Sequence, residues 1–216
     1  MTWGCKYKVA LREQKTARKR EEIIQAAVSV FMEKGYTGTT MEDVAANLLM
    51  TKGSVYYYFK DKQELLYQSQ KMLLEKSIEN IEAIKQAQDL PVIERLRKSM
   101  IVHIEYLISE RSGFETMVDP ERYFSATQVE KIIKLRNNYE KNFDQLITEG
   151  IERNIFASLD IKIVRNIILG AMNWVIQWYS PKGEKDAMEV AELITDYLLR
   201  ILIKDTNMDK EELHCK

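Results

Sequence analysis

The sequence predicts an all-α protein, and three observations carry that expectation. Gly and Pro are scarce, 8 and 3 in 216 residues, which leaves little turn material for a sandwich or barrel of short strands. Apolar residues recur at spacings of three and four along most of the chain, the period of a helix with a buried face. Capping signals stand where those stretches begin, at Thr40 and Thr51. With 45% hydrophobic and 30% charged residues, the chain has enough apolar material for one large domain or two small ones. That balance argues against both disorder and a membrane protein.

Residues 16–34 read as a first helix, with Ile23, Ala27, Val30 and Phe31 on one stripe and Gly35 as its stop. A second helix, 41–47, opens at Thr40, because Thr40-Met41-Glu42-Asp43 fits a hydroxyl facing a back-bonding acid. Residues 48–50 make a tight connection, and Thr51 caps a third short helix running through Phe59. A fourth helix spans 63 to about 88 and a fifth 91 to about 109. Residues 112–120 read as a loop or a broken helix held by Phe114 and Met117. Residues 126–149 are helical with Gly150 as terminator, and helices over 161–179 and 187–203 close the core. The organisation expected is a basic arm, 1–15, a helix-turn-helix unit, 16–62, and a second helical domain, 63–216.

Charge is distributed unevenly although the total is −1. Residues 1–62 hold 11 basic and 7 acidic residues, against 21 and 26 in the remainder. Seven of those basics fall within residues 6–20. A neutral protein with a basic front end suits a local anion-binding surface. Two short helices joined by a three-residue turn, with basic residues before and after, make a helix-turn-helix. A recognition helix of that length lies in a major groove about 12 Å wide while its partner braces it. Thr51, Lys52, Ser54 and Tyr56 offer hydroxyls and a cation, Gly53 allows close backbone approach, and Val55 and Phe59 face inward. The arm is read either as a solvated tail, disordered without DNA, or as an extension reaching along the backbone.

The stretch Thr39-Thr40-Met41-Glu42-Asp43-Val44-Ala45, followed by Thr51-Lys52-Gly53-Ser54-Val55-Tyr56-Tyr57-Tyr58-Phe59-Lys60-Asp61-Lys62, resembles the DNA-binding signature of TetR/AcrR-type repressors. The resemblance implies an all-helical homodimeric regulator binding a palindromic operator of double-stranded DNA and released by a small effector; the cysteine spacing and the want of a secretory leader separately lead to the expectation of a cytoplasmic protein. It implies that Thr40 lies near the DNA backbone and that Thr51, Lys52, Gly53, Ser54 and Tyr56 face the groove. By the same pattern Tyr57 and Lys62 contact phosphates, while Tyr58 and Phe59 read as core. Where the family usually carries Gly in the turn, this chain has Leu49. A bulky side chain at positive φ costs roughly 1 kcal/mol or more, so either the turn is reshaped or Leu49 finds a pocket.

The helix at 161–179 carries two apolar stripes, and only one can face its own core. Ile163, Ile167, Gly170, Trp174 and Trp178 form the second stripe, which with the last helix predicts a four-helix dimer interface of about 1,500 Å² or more. Met100, Tyr106, Phe114, Met117, Phe124, Tyr139, Phe143, Trp174 and Trp178 are the candidate lining of an effector pocket. That set suits a large apolar ligand. Gly170-Ala171-Met172-Asn173-Trp174 followed by Trp178-Tyr179-Ser180-Pro181 is similar to a stretch in TetR-type regulators that answer acyl-CoA thioesters. The alternative is an efflux or detoxification regulator induced by a lipophilic drug or cation, which needs a buried acid such as Glu105 or Glu115.

Other classes find little support. Cys5 and Cys215 lack zinc-site spacing, and neither His103 nor His214 sits in a metal-ligating pattern, so no metal or cofactor is expected. No phosphate-binding Gly loop or nucleophile-elbow motif occurs, and no enzyme is expected. No secretory leader or membrane span is read, the most apolar stretch being interrupted by Lys162, Arg165 and Asn166.

Overall fold

The computed structural model describes residues 3–109 and 120–204, with backbone alone for residues 3–10. Among the described residues the protein is built of eight α-helices. These are α1 (Trp3–Gly38), α2 (Met41–Asn47), α3 (Lys52–Tyr58), α4 (Lys62–Gln86), α5 (Val92–Ser109), α6 (Ala126–Glu152), α7 (Ile161–Trp178) and α8 (Ala187–Leu202). A 3-10 turn, Pro120–Arg122, precedes α6. The only β pairing described is a single bridge between Phe156 and Ile203. No described helix is long and apolar enough to cross a membrane. Phe114, Met117, Glu115, Cys215 and His214 lie outside the described residues.

Two helix ends differ from the sequence expectation. The first helix does not begin at residue 16: α1 extends back to Trp3, taking in the stretch read as an arm. Residues 5–15 contain neither Gly nor Pro and are rich in Lys, Arg, Glu, Gln, Ala and Leu, which favour helix. The Thr16 hydroxyl donates to the Arg12 carbonyl at 3.0 Å, inside the helix rather than capping it. At the other end of α1, Gly35 takes φ 69° and breaks the helical path where the sequence placed its stop.

Gly150 does not end its helix, since α6 runs on to Glu152. Its missing side chain serves packing. A Cβ there would stand 2.0 Å from the Phe156 ring, which is buried against it. The helix stops instead at Asn154, with φ 58°, where Asn154 and Ile155 donate their N–H groups back to the carbonyls of Ile151 and Gly150, both at 2.9 Å.

Packing divides the chain into two compact units. The first comprises the described residues 3–75 and 120–135, the second 76–109 and 136–204, so α4 and α6 contribute to both. The first unit's core joins Ile23, Ala27 and Phe31 of α1, Val44 of α2, Val55 of α3, Leu65 of α4 and Ile132 of α6. In the second unit α5 packs against α7 and α8, burying Leu96, Met100, Ile104, Phe143, Ile168, Met172, Val175 and Leu202. Its buried Arg95 is fully engaged, donating to the carbonyls of Leu90 and Lys85 and pairing with Glu149.

Candidate nucleic-acid interface and internal cavity

In the first unit, α2 and α3 are held by their own caps. The Asp43 N–H donates to Thr40 Oγ1 at 3.2 Å, and the Thr40 N–H returns to Asp43 Oδ2 at 2.8 Å, closing the box that the sequence announced. Lys34 adds an ion pair to Asp43 at 2.6 Å, and these contacts hold the carboxyl far below the usual carboxylate range. Thr51 caps α3 by accepting from the Ser54 N–H at 3.2 Å. Between the caps the turn keeps a left-handed residue. Leu49 sits at φ 53°, and Leu49 and Met50 donate their N–H groups to the carbonyls of Ala46 and Ala45, at 3.1 and 2.8 Å. This double closure normally uses Gly at the left-handed position. The turn is not reshaped, and Leu49 finds no pocket: it is 98% exposed.

Seven residues long, α3 spans roughly 10 Å, a length that fits a major groove. Val55 and Phe59 anchor it in the core. Thr51, Lys52, Gly53, Tyr56 and Tyr57 are exposed along it, and Ser54 is half-buried. Tyr57 is 73% exposed and leans edge-on against Tyr58, with ring centroids 5.0 Å apart. Lys52 pairs with Glu42 of α2, which lowers the Glu42 pKa and raises that of Lys52.

Lys62 is half-buried and already engaged by the protein's own backbone. Its ammonium turns inward, donates to the carbonyls of Tyr36 and Thr39 at 2.7 and 2.8 Å, and lies 4.4 Å from the Tyr36 ring centroid. Burial pushes its pKa down. Lys62 thus satisfies backbone acceptors where α1 gives way to α2. Arg20, which the sequence showed only as one member of a basic run, reaches the other end of α3. It donates to the Tyr58 carbonyl and stacks over Phe59, 4.3 Å from the ring centroid. A single basic residue inside a basic run carries no signal of that kind.

The second unit holds a small cavity of about 20 Å³, room for one water, lined by Ser77, Asn80, Ile81, Ile84, Ser99, Val102, His103, Tyr106 and Tyr139. Of the predicted lining, Tyr106 and Tyr139 are here. Met100 and Phe143 are fully buried core, and Phe124, buried in the first unit, also lines a separate open pocket there of about 510 Å³ with Glu121, Ala126, Val129, Glu130 and Ile133. Trp174 and Trp178 line no cavity among the described residues: they are 64% and 53% exposed on α7, with Ile163, Ile167 and Gly170 along the same stripe. The cavity is more polar than a set chosen for Met and aromatics foretells. Two of its lining residues, His103 and Tyr139, belong to a hydrogen-bonded chain that continues to Asn173, His103 Nδ1 to Tyr139 Oη at 2.7 Å and His103 Nε2 to Asn173 Oδ1 at 3.0 Å. An amide oxygen only accepts, so Nε2 carries the ring proton and Tyr139 donates to Nδ1. Burial pushes the His103 pKa down to about 4, keeping the ring neutral, and pushes that of Tyr139 up.

Comparison with known proteins agrees with this architecture. The family "Bacterial regulatory proteins, tetR family" matches residues 23–68, and "Tetracyclin repressor-like, C-terminal domain" matches residues 89–202. The probable acrEF/envCD operon repressor of Escherichia coli K12 is 22% identical over 199 residues, covering 88% of this chain and 90% of that protein. Among solved structures, the regulator PfmR of Thermus thermophilus superposes with a TM-score of 0.72 at 30% identity, covering 82% of this chain and 97% of that one. FadR of Bacillus subtilis, solved in complex with stearoyl-CoA, shares the fold with a TM-score of 0.68 at 23% identity over 84% and 98% of the two chains. With the helix-turn-helix pair capped and presented as described, this chain belongs to the TetR family of DNA-binding transcriptional repressors.

Proposed function

We propose that the chain acts in the cytoplasm as a homodimer on a palindromic operator, reading it with α3, and leaves the DNA when a bulky effector such as an acyl-CoA thioester enters the second unit. One observation carries the DNA reading. Thr51, Lys52, Gly53, Tyr56 and Tyr57 stand exposed on one short helix whose Val55 and Phe59 fix it to the core. Groups with hydrogen-bonding capacity on a rigid element suit base edges and phosphates. Thr40, exposed at the start of α2, lies beside them in sequence as a further backbone contact. The exposed stripe on α7, together with Leu193, Tyr197 and Ile201 of α8, supports the dimer. Apolar surface of that extent favours a partner, and two copies place recognition helices about 34 Å apart.

The effector reading rests on FadR, whose structure holds stearoyl-CoA, and on the cavity between α4, α5 and α6. A space of about 20 Å³ admits no acyl chain, so binding in that cavity requires those helices to part. An effector that favours the parted form lowers operator affinity by its differential affinity, typically about 1–3 kcal/mol. The helix α4, with residues in both units, is the element expected to carry the change. Substitution separates the functions: Tyr56→Ala with Lys52→Ala abolishes operator binding and leaves effector affinity unchanged. Loss of both together, or of neither, contradicts the assignment.

A further inference from the structure

The second unit contains several arginines, and one of them is unlike the rest. Arg95 and Arg165 are buried and neutralised, the first by Glu149, the second by Asp144 at 3.0 Å and by Glu140. Arg97 pairs with Asp196 and Arg153 with Glu149. Among the described residues Arg136 on α6 has no such partner, and unlike Arg200, which is exposed and lies over the Tyr197 ring, it is not open to solvent along its whole length. It is partly buried, and its Nε and Nη2 atoms are shut off from solvent without a hydrogen-bond acceptor. Burial lowers its pKa. A shielded guanidinium donor left unpaired costs more than a lost hydrogen bond, so a folded chain holds one only where something else satisfies it.

Arg136 is not itself in the cavity lining, but it lies on the helix face that leads to it. Arg136 is one turn before Tyr139, which lines the cavity, and two turns before Phe143, which packs against His103. Residues so spaced share one face of a helix. No carboxylate is among the residues lining the cavity, and Glu140, the acid one turn on, is taken by Arg165. The two shielded donors are also the right pair. Nε and Nη2 lie on one edge of the planar group, which accepts two oxygens of a carboxylate or phosphate side by side.

We propose that Arg136 is the anchor of an anionic effector, whose carboxylate or phosphate seats on the Nε/Nη2 edge. This rests on the reading that the second unit takes an effector, and it replaces a purely apolar pocket with an amphipathic one. It also disfavours a lipophilic cation, which the unpaired Arg136 would repel.

The test is calorimetric titration of the full-length protein, without DNA, with decanoate, decanoyl-CoA and decanol. The wild type is expected to bind at least one of the two anions about ten- to hundredfold tighter than decanol. Arg136→Met should erase that preference while leaving decanol affinity unchanged, and Arg136→Lys, which keeps the charge but not the two-pronged edge, should fall between. Decanoate binding identifies the carboxylate as the anchored group; a preference shown by decanoyl-CoA alone identifies the phosphate. Unliganded Arg136→Met should melt at or above the wild-type temperature, because it sheds an uncompensated charge. Equal wild-type affinity for anions and alcohol, no anion binding, a preference surviving in Arg136→Met, or an unliganded variant melting several degrees lower would each overturn the assignment. Operator binding by the same preparations is measured alongside. A wild type that ignores its operator counts against the repressor reading, while the calorimetry decides Arg136 independently.

Discussion

Leu49 shows most directly how a single residue sets the geometry of the DNA-reading unit. Its left-handed conformation closes the α2–α3 turn, yet the side chain is almost wholly exposed, so nothing in packing offsets the backbone strain. Leu49→Gly is therefore expected to stabilise the protein by up to about 1 kcal/mol, net of the extra freedom Gly gives the unfolded chain. A urea midpoint that falls in the variant would show that Leu49 contributes something its exposure hides. Lys62 makes a different case. The sequence signature assigns it to phosphate, and in the half-buried side chain two backbone carbonyls already accept from its ammonium, which we propose is its main role. Lys62→Met should cost about 1–3 kcal/mol of stability, the effect of leaving those acceptors unpaired. The salt dependence of operator binding should not change in slope; a slope reduced by about one would identify a phosphate contact instead.

At the scale of the element, legibility in the sequence tracked how local the determining physics is. The Thr40–Asp43 box and the Thr51 cap are interactions over three residues, and both stand where their spacing put them. The α7 stripe was equally readable, because a 3.6-residue period separates Val164, Ile168 and Met172, now buried, from Ile163, Ile167, Trp174 and Trp178, now exposed. What depends on distant partners was not. Gly150 looked like a terminator because the Phe156 ring that occupies its missing side chain comes from beyond the helix end. Lys62 and Arg20 are fixed by carbonyls 23 to 38 residues away. The hydrogen-bonded chain at the cavity joins three helices through His103, Tyr139 and Asn173. The exposed stripe itself yields a prediction. Trp174→Glu places a charge on the proposed interface of α7 while disturbing no buried contact, and sedimentation velocity at micromolar concentration should show monomer in place of dimer. A variant that still sediments as a dimer would move the interface elsewhere.

Over the whole molecule, stability and function meet in the second unit. His103 is neutral in the fold with its pKa near 4, against 6.5 for a free ring. Between those values the unfolded chain binds a proton that the fold refuses. Stability is fully present above about pH 6.5 and is lost as pH falls towards 4, by on the order of 2–3 kcal/mol. Denaturant midpoints across that window should fall in the wild type and flatten in His103→Gln; a wild-type profile that is already flat would place the ring in solvent. Under the proposed function the same cavity is the one an effector would open, so His103 also lies where that proposal places ligand binding.

The central claim, that α3 reads a specific operator and an effector in the second unit abolishes that reading, is tested most directly by fluorescence anisotropy with DNA from immediately upstream of the protein's own gene. Scrambled DNA serves as the control, at two salt concentrations, with and without a long-chain acyl-CoA. The prediction is tight binding to the cognate fragment alone, reversed by the acyl-CoA. Weak, equally salt-sensitive binding to both DNAs would contradict the reading of α3, and tight binding that the acyl-CoA leaves untouched would contradict the assignment of the effector.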